Sequence, residues 1–284
     1  MIRPAYLAGQ WYPGDEASCR GALDEHAAWQ PAVEGDWRAL IAPHAGWFYS
    51  GNAMGLGYQS LLKAQSAPEL VVIFGSHRGS EGPNTIYRGE GWQTPLGDAL
   101  IDREVVAALD ADLSLLEEPP APLRPDNAVE VHMPFIRHAF PGAKVVMLGV
   151  EASPFGITLG ERVGDVCRKL ARDTVFIGST DLTHYGPNYG FSPHGTGEVA
   201  EAWVREENDR GFLDALVAHD WPGAVDHALT QSSACCPGAA VAALAARQSF
   251  EPPPEGQAPR LVSHYLSSDV SSSPSFVGYG SLTY

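Results

Sequence analysis

Three short apolar runs, each followed by a chain breaker and a histidine, constrain the fold of this chain more than any other feature. Residues 70–74 form an unbroken, mostly β-branched run, and His77 follows soon after it. A run this short and this apolar is typical of a strand buried on both faces, as in a parallel sheet. The same order recurs at 39–44, which ends on His44, and at 174–184, which ends on His184. Ligands bind outside the carboxyl ends of strands in open α/β sheets, so these segments predict one shared site.

Apolar runs of strand length alternate with helical patterns along the rest of the chain. Strands are predicted at 38–42, 70–74, 144–150, 174–178, 261–266 and 276–283. Helices are predicted at 15–30, 102–111, 126–140, 157–171, 196–218, 222–229 and 239–248, and a further helix is predicted to end near residue 64. This alternation predicts an α/β fold with a mainly parallel or mixed sheet that is covered by helices on both faces.

Three segments decide the finer topology. Residues 38–74 are predicted to form a βαβ unit whose two strands are parallel neighbours. Residues 78–97 are rich in glycine and proline and are predicted to hold one short strand at most. Apolar patterning resumes soon after the proline-rich segment 117–122, so residues 1–284 are predicted to form a single domain.

Composition excludes several classes of partner. The formal net charge is −16, which argues against general nucleic-acid binding and against binding to anionic membrane surfaces. Four cysteines do not make a disulfide framework in a chain of 284 residues, and no apolar run approaches the length of a membrane span. Residues 1–4 also lack the features of a secretory signal, so we expect a cytoplasmic protein.

Two histidines and two cysteines are candidate metal ligands. His44 and His77 occupy equivalent places in two βα turns, although a single loop histidine is usually only a polar surface residue. Cys235 and Cys236 precede a predicted helix, whose positive end favours thiolate, although cysteines are also common as small buried residues. Two imidazoles and one thiolate would leave a metal position open for substrate, oxygen or water.

Four further residues have two interpretations each. Asp181 and His184 form an acid–base pair in one, and a helix cap with a locally satisfied histidine in the other. His132 lies on the apolar face of its predicted helix, where it is either a buried, hydrogen-bonded residue or part of a pocket lining. Trp11 either packs an N-terminal arm onto the domain or forms a wall of the pocket.

A set of ordered motifs resembles the MEMO-like family, whose microbial members are often called AmmeMemoRadiSam system protein B. The motifs are AGQWYP at 8–13, APHAG at 42–46, FGSH at 74–77, EVHMPF at 130–135, STDLTHYG at 179–186 and AC at 234–235. The resemblance implies a fold similar to the class III extradiol, or LigB-like, dioxygenases. It also implies the metal ligands His44, His77 and Cys235, with Asp181 and His184 beside the metal. In those dioxygenases the histidine that resembles His184 is an acid–base catalyst.

Two positions depart from the family pattern. Cys236 stands where relatives commonly have glycine, so either thiol is a candidate ligand. Asn127 stands where relatives often have histidine, which predicts a changed substrate preference.

The first functional hypothesis is an iron- or copper-binding protein with a redox or oxygen-dependent activity. Because a thiolate favours softer ions than a carboxylate does, zinc is also plausible. The alternatives are a non-catalytic binding module for a peptide or protein partner and an extradiol-type ring-cleaving dioxygenase. The resemblance adds possible partners, namely a radical SAM enzyme and an AMMECR1-like protein, besides oxygen or a small molecule at the metal.

Overall fold

The computed structural model describes residues 1–65, 67–119 and 126–284. Within these ranges the strands are β1 (Ile2–Arg3), β2 (Ala39–Ala42), β3 (Leu70–Gly75), β4 (Thr85–Ile86), β5 (Gly91–Trp92), β6 (Ala99–Leu100), β7 (Leu116–Glu117), β8 (Lys144–Gly149), β9 (Thr174–Ser179), β10 (His184–Tyr185), β11 (Arg260–Leu266) and β12 (Phe276–Thr283). The part of the predicted linker at 120–122 lies outside the described residues.

Helices occupy most of the remaining chain. They are α1 (Glu16–Ala27), α2 (Trp47–Ala64), α3 (Arg103–Asp112), α4 (Asn127–Glu130), α5 (Met133–Ala139), α6 (Phe155–Lys169), α7 (Glu198–Trp203), α8 (Asp209–Val217), α9 (Trp221–Gln231), α10 (Pro237–Phe250) and α11 (Ser267–Val270). A π-helical turn, Val204–Asn208, joins α7 to α8. No helix in the described ranges is both long and apolar enough to cross a bilayer.

The main sheet is mixed and mostly parallel at its centre. Its strand order is β10-β12-β2-β9-β3-β8-β4-β7, and β11 pairs with β12. The four central strands β2, β9, β3 and β8 run parallel to one another, whereas β12 and β4 flank them in antiparallel orientation. Strands β1, β5 and β6 form a separate small sheet. The predicted α/β fold with a mixed sheet is confirmed.

Helices cover both faces of this sheet. Gly57 of α2 lies against the side chain of Leu40, while the next residue of β2, Ile41, lies beside Gly178 under α10. Successive side chains of a strand point to opposite faces, so α2 and α10 pack on opposite sides. Gly178 allows this packing because a Cβ there would lie 2.7 Å from the backbone oxygen of Ala239.

Several finer predictions were wrong. Strands β2 and β3 are not neighbours, because β9 lies between them and pairs in parallel with both. The segment 78–97 contains two short strands, β4 and β5, rather than one. The predicted helix at 126–140 is two helices, α4 and α5, and Pro134 stands in the first turn of α5. Proline lacks the N–H that a continuous helix needs and is tolerated only in a first turn.

The topology brings four loops to one edge of the sheet. The parallel strands β2, β3 and β9 all end at this edge, and the loops that follow them carry His44, His77 and Asp181. The segment that precedes α10 joins them, because Leu182 forms a β-bridge with Ala234. Residues far apart in sequence therefore meet beyond the carboxyl ends of the strands.

Candidate metal centre

Four side chains with metal-binding atoms converge beyond the ends of the central strands. They are His44, His77, Cys235 and Cys236, and one ligand atom from each lies within 4.8 Å of the others. Sγ of Cys235 lies 3.2 Å from Nε2 of His44, and the two imidazole centroids are 4.8 Å apart. The cluster could therefore hold a metal ion.

His44 is held from two sides and is fully buried. Its backbone N–H donates to Oδ1 of Asp181 at 2.7 Å, and its Nδ1 lies 2.8 Å from Oγ of Ser179. Nε2 is consequently left to face Cys235. Burial lowers the pKa of His44, but the charges of Asp181 and of the Cys235 thiolate outweigh it, so the pKa is raised.

His77 occupies the open side of the cluster, with 44% of its side chain exposed. The preceding residue, Ser76, has a φ of +72°, a conformation that turns the chain sharply after β3. Nδ1 of His77 lies 3.2 Å from Oδ1 of Asp126. Hydrogen bonds with Asp126 and then with Cys235 raise the pKa of His77 to about 10.

The two cysteines have different environments. The Cys235 sulfur accepts the backbone N–H of Asp181 at 3.3 Å. Burial opposes ionisation of Cys235, but hydrogen bonds from Cys236, His44 and His77 and the charge of His44 hold its pKa well below the usual range. The hydrogen bond to Cys235, together with burial, raises the pKa of Cys236 well above normal. The Cys236 sulfur also lies 3.6 Å from the backbone oxygen of Ser76. The environment of Cys235 therefore favours a thiolate, and that of Cys236 favours a thiol.

Asp181 and His184 lie beside the cluster. Oδ2 of Asp181 lies 3.9 Å from Nε2 of both His44 and His184. Asp181 does not cap a helix, the alternative considered above, because its Oδ1 accepts from His44 and the short strand β10 follows. Burial raises the pKa of Asp181 despite the nearby imidazoles.

A cavity of about 660 Å³ opens onto this group. His44, His77, Asp181 and His184 all line it. One further set of lining residues is aromatic, namely Trp11, Phe48, Tyr49, Tyr189 and Tyr279. Another set consists of serines, namely Ser267, Ser271, Ser273 and Ser275. The cavity therefore offers both apolar and hydrogen-bonding surface to a small molecule.

The remaining predicted residues divide between the cavity and the core. Trp11 lines the cavity, whereas its neighbour Tyr12 is buried and stacks on Trp47. Asn127 also lines the cavity, and its side-chain amide donates to the backbone oxygen of His44 at 2.9 Å.

His132 is buried and is not among the residues that line this cavity. Its Nε2 lies 3.1 Å from Oγ of Ser179, and its Nδ1 lies 3.0 Å from the hydroxyl of Tyr58. Burial, with a smaller effect of His44, lowers the pKa of His132 to about 3. His132 thus fits the buried, hydrogen-bonded interpretation.

Sequence reasoning missed Asp126, Ser179 and the serines of segment 267–275. Asp126 was visible only as the first residue of a predicted helix, whose N-terminus it does cap. Ser179 is the last residue of β9, a position that could have been read as pointing into the same edge of the sheet.

Comparisons with known sequences and structures identify proteins that are similar to this chain. Residues 3–283 match the sequence model of the Memo-like protein family. A MEMO1 family protein of Thermococcus onnurineus is 27% identical over 206 residues, which cover 68% of this chain and 69% of that protein. One from Methanopyrus kandleri is 27% identical over 298 aligned residues, which cover 100% of this chain and 99% of that protein. A solved structure of an uncharacterized protein from Escherichia coli K12 is similar in fold, with a TM-score of 0.50, 14% identity and coverage of 85% of this chain and 98% of that one.

Proposed function

The chain belongs to the Memo-like protein family, and on that premise we propose that it is an iron- or copper-binding protein with a redox or oxygen-dependent activity. The ligands of the proposed site are His44, His77 and Cys235. The observation that carries the proposal is the 3.2 Å separation of Cys235 Sγ and His44 Nε2 within a group of mutually close ligand atoms. Nitrogen and sulfur ligands at about 2.1 and 2.3 Å from one tetrahedral ion lie about 3.6 Å apart, so the observed spacing is close to that of a shared ion.

The chemistry of the donor set supports a transition metal. Imidazole suits zinc, copper and iron, and thiolate selects softer ions over magnesium or calcium. Zinc therefore remains compatible with the same ligands. Cys235 is the proposed thiolate ligand because its environment lowers its pKa, whereas the environment of Cys236 raises it.

The side chains around the site suggest how a reaction would be supported. A bound iron or copper ion would supply one-electron chemistry and a position for oxygen or a small molecule. His184 would take a proton from that molecule and return it, since its imidazole lines the cavity. Asp181, at 3.9 Å, would stabilise the imidazolium that forms. The aromatic residues would hold the apolar part of a ligand.

Two alternatives rank below this proposal. Ring cleavage of the extradiol type ranks lower because the proposed ligand set has a thiolate. Non-haem iron oxygenases of the facial-triad type have two histidines and a carboxylate instead. The second alternative is a non-catalytic binding module. One observation supports it: Trp11 and Phe48 are exposed at the cavity, and exposed aromatic residues are common at binding surfaces.

Metal analysis of protein purified without added metal tests the proposal. We expect about one ion per chain in the wild type. The metal content of His44→Ala and of Cys235→Ser should be lower by at least about tenfold, because each variant removes a ligand. Cys236→Ser and Cys167→Ser should retain the ion, and Cys167 is a matched control because it is buried in α6. Equal metal content in wild type and His44→Ala would overturn the proposal.

Oxygen uptake by the metal-loaded wild type, with and without catechols, then separates redox activity, ring cleavage and inert binding.

A further inference from the structure

A chain of four buried side chains leads away from the back of the cluster. Nδ1 of His44 lies 2.8 Å from Oγ of Ser179, which lies 3.1 Å from Nε2 of His132. Nδ1 of His132 lies 3.0 Å from the hydroxyl of Tyr58. His44, Ser179 and His132 have no exposed surface, and Tyr58 is 2% exposed.

Counting hydrogens fixes the direction of this chain. A serine hydroxyl has one hydrogen and two acceptor lone pairs, and Oγ of Ser179 has no hydrogen-bond partner besides the two imidazoles among the described residues. Ser179 therefore donates to one imidazole and accepts from the other, because accepting from both would leave its own hydrogen buried and unpaired. If Nε2 of His44 faces an ion, its Nδ1 carries the hydrogen and donates to Ser179. Ser179 then donates to Nε2 of His132, which must carry its own hydrogen on Nδ1 and donate to the oxygen of Tyr58.

A neutral His44 that donated from Nε2 to Cys235 would instead accept from Ser179 at Nδ1 and reverse the whole chain. The stated order therefore belongs to the protein whose Nε2 of His44 is directed at an ion.

The far end of the chain reaches a second, smaller cavity. Tyr58 lines this cavity of about 50 Å³, and so do Gln59 and His138. Oε1 of Gln59 and Nδ1 of His138 are buried polar atoms that lack a hydrogen-bond partner within the described residues. A cavity of this size has room for a water molecule.

We propose that Ser179, His132 and Tyr58 are positioning residues of the metal site, which together fix His44 as the Nδ1–H tautomer with Nε2 directed at the ion. The inference rests on the proposed function, because the ion is what keeps hydrogen off Nε2 of His44. A hydrogen bond to the far nitrogen of a metal-binding histidine fixes the ring orientation, and its loss typically costs about 10–100-fold in metal affinity.

Nitrogen-15 NMR of histidine-labelled protein tests this directly, with zinc as a diamagnetic probe. In the zinc-loaded wild type we expect neutral His132 to carry its hydrogen on Nδ1. Ser179→Ala should abolish that preference and weaken zinc binding about 10–100-fold. Tyr58→Phe should disturb the His132 tautomer with a smaller loss of affinity, because it removes only the last acceptor in the chain.

Two further variants separate positioning from a general loss of stability. Ser179→Thr keeps the hydroxyl and should restore both the tautomer and the affinity. Ser60→Ala removes another fully buried serine hydroxyl, in α2, and should change neither. A His132 that carries its hydrogen on Nε2 in the zinc-loaded wild type would overturn this inference alone, as would normal zinc affinity in folded Ser179→Ala. A wild type that binds no zinc would overturn the proposed function and this inference with it.

Discussion

The side chains of Asp209 and Asp181 are two buried carboxylates near residues 181–184. They differ in whether the second carboxylate oxygen has a close partner. Oδ1 of Asp209 accepts the backbone N–H of Thr183, and its Oδ2 lies 2.8 Å from Nε2 of His264. Oδ1 of Asp181 accepts the backbone N–H of His44, but its Oδ2 is 3.9 Å from the nearest imidazole nitrogens, and Asp181 lines the cavity. The Asp209 pair is closed and supports structure, whereas Asp181 keeps an oxygen available for a ligand or a proton.

The closed pair depends on local backbone features. Asp209 directly follows the π-helical turn Val204–Asn208, a type of irregularity that re-aims the side chains next to it. Strand β12 can approach only because residue 278 is glycine, since a Cβ there would lie 2.0 Å from Oδ2 of Asp209. Close packing thus leaves no room for a ligand at this carboxylate.

The largest loss of stability should come from removing the Asp209 carboxylate, which breaks its pair with His264. Asp209→Ala leaves His264 and Thr183 without their buried partner, and removing one member of a buried pair costs about 3–5 kcal/mol of unfolding free energy. Urea unfolding measures the loss. Metal affinity of the folded protein should be unchanged, and a loss of less than about 1 kcal/mol would show that Asp209 does not support the structure as described.

Asp181→Asn should change stability less than Asp209→Ala does, but it should lower metal affinity. The amide oxygen can still accept from His44, and a buried charge is removed, so the free energy of unfolding should change by less than about 1 kcal/mol. Metal affinity should fall about 10–100-fold because the carboxylate beside the ligands is lost. Asp209→Asn is the matched control and should show the reverse pattern. Calorimetric titration with zinc and urea unfolding together decide whether the two carboxylates differ in this way.

The smallest change in stability is expected at the third carboxylate of the region, Asp126, because solvent screens its pair with His77, whose side chain is 44% exposed. Because the pKa of His77 is raised to about 10 in the folded metal-free protein, its contribution to stability is complete below its unfolded pKa of about 6.5. That contribution is lost as the pH rises through about 10. The difference in urea midpoint between wild type and His77→Asn should therefore shrink between pH 6 and pH 10. A difference that grows over this range would contradict the proposed ionic pairing.

The sequence predicted the elements of this site better than their arrangement. Apolar runs ending before His44 and His77 identified the right turns, because burial on both faces of a strand leaves a strong local pattern. The insertion of β9 between β2 and β3 could not be seen, since strand order depends on contacts between distant segments. The break between α4 and α5 was visible in Pro134 but was outweighed by the apolar periodicity of residues 126–140.

What the sequence alone determined is the set of buried strands and the polar residues that follow each of them. These features depend on neighbouring residues, through hydrophobic burial and the conformational limits of glycine and proline. Only the tertiary structure decided which sulfur faces an imidazole, which carboxylate stays open and which buried side chains line up behind His44. Each of those outcomes depends on a distance between side chains far apart in the chain, such as the 3.2 Å between His44 and Cys235, and such distances are set by the packing of the whole sheet.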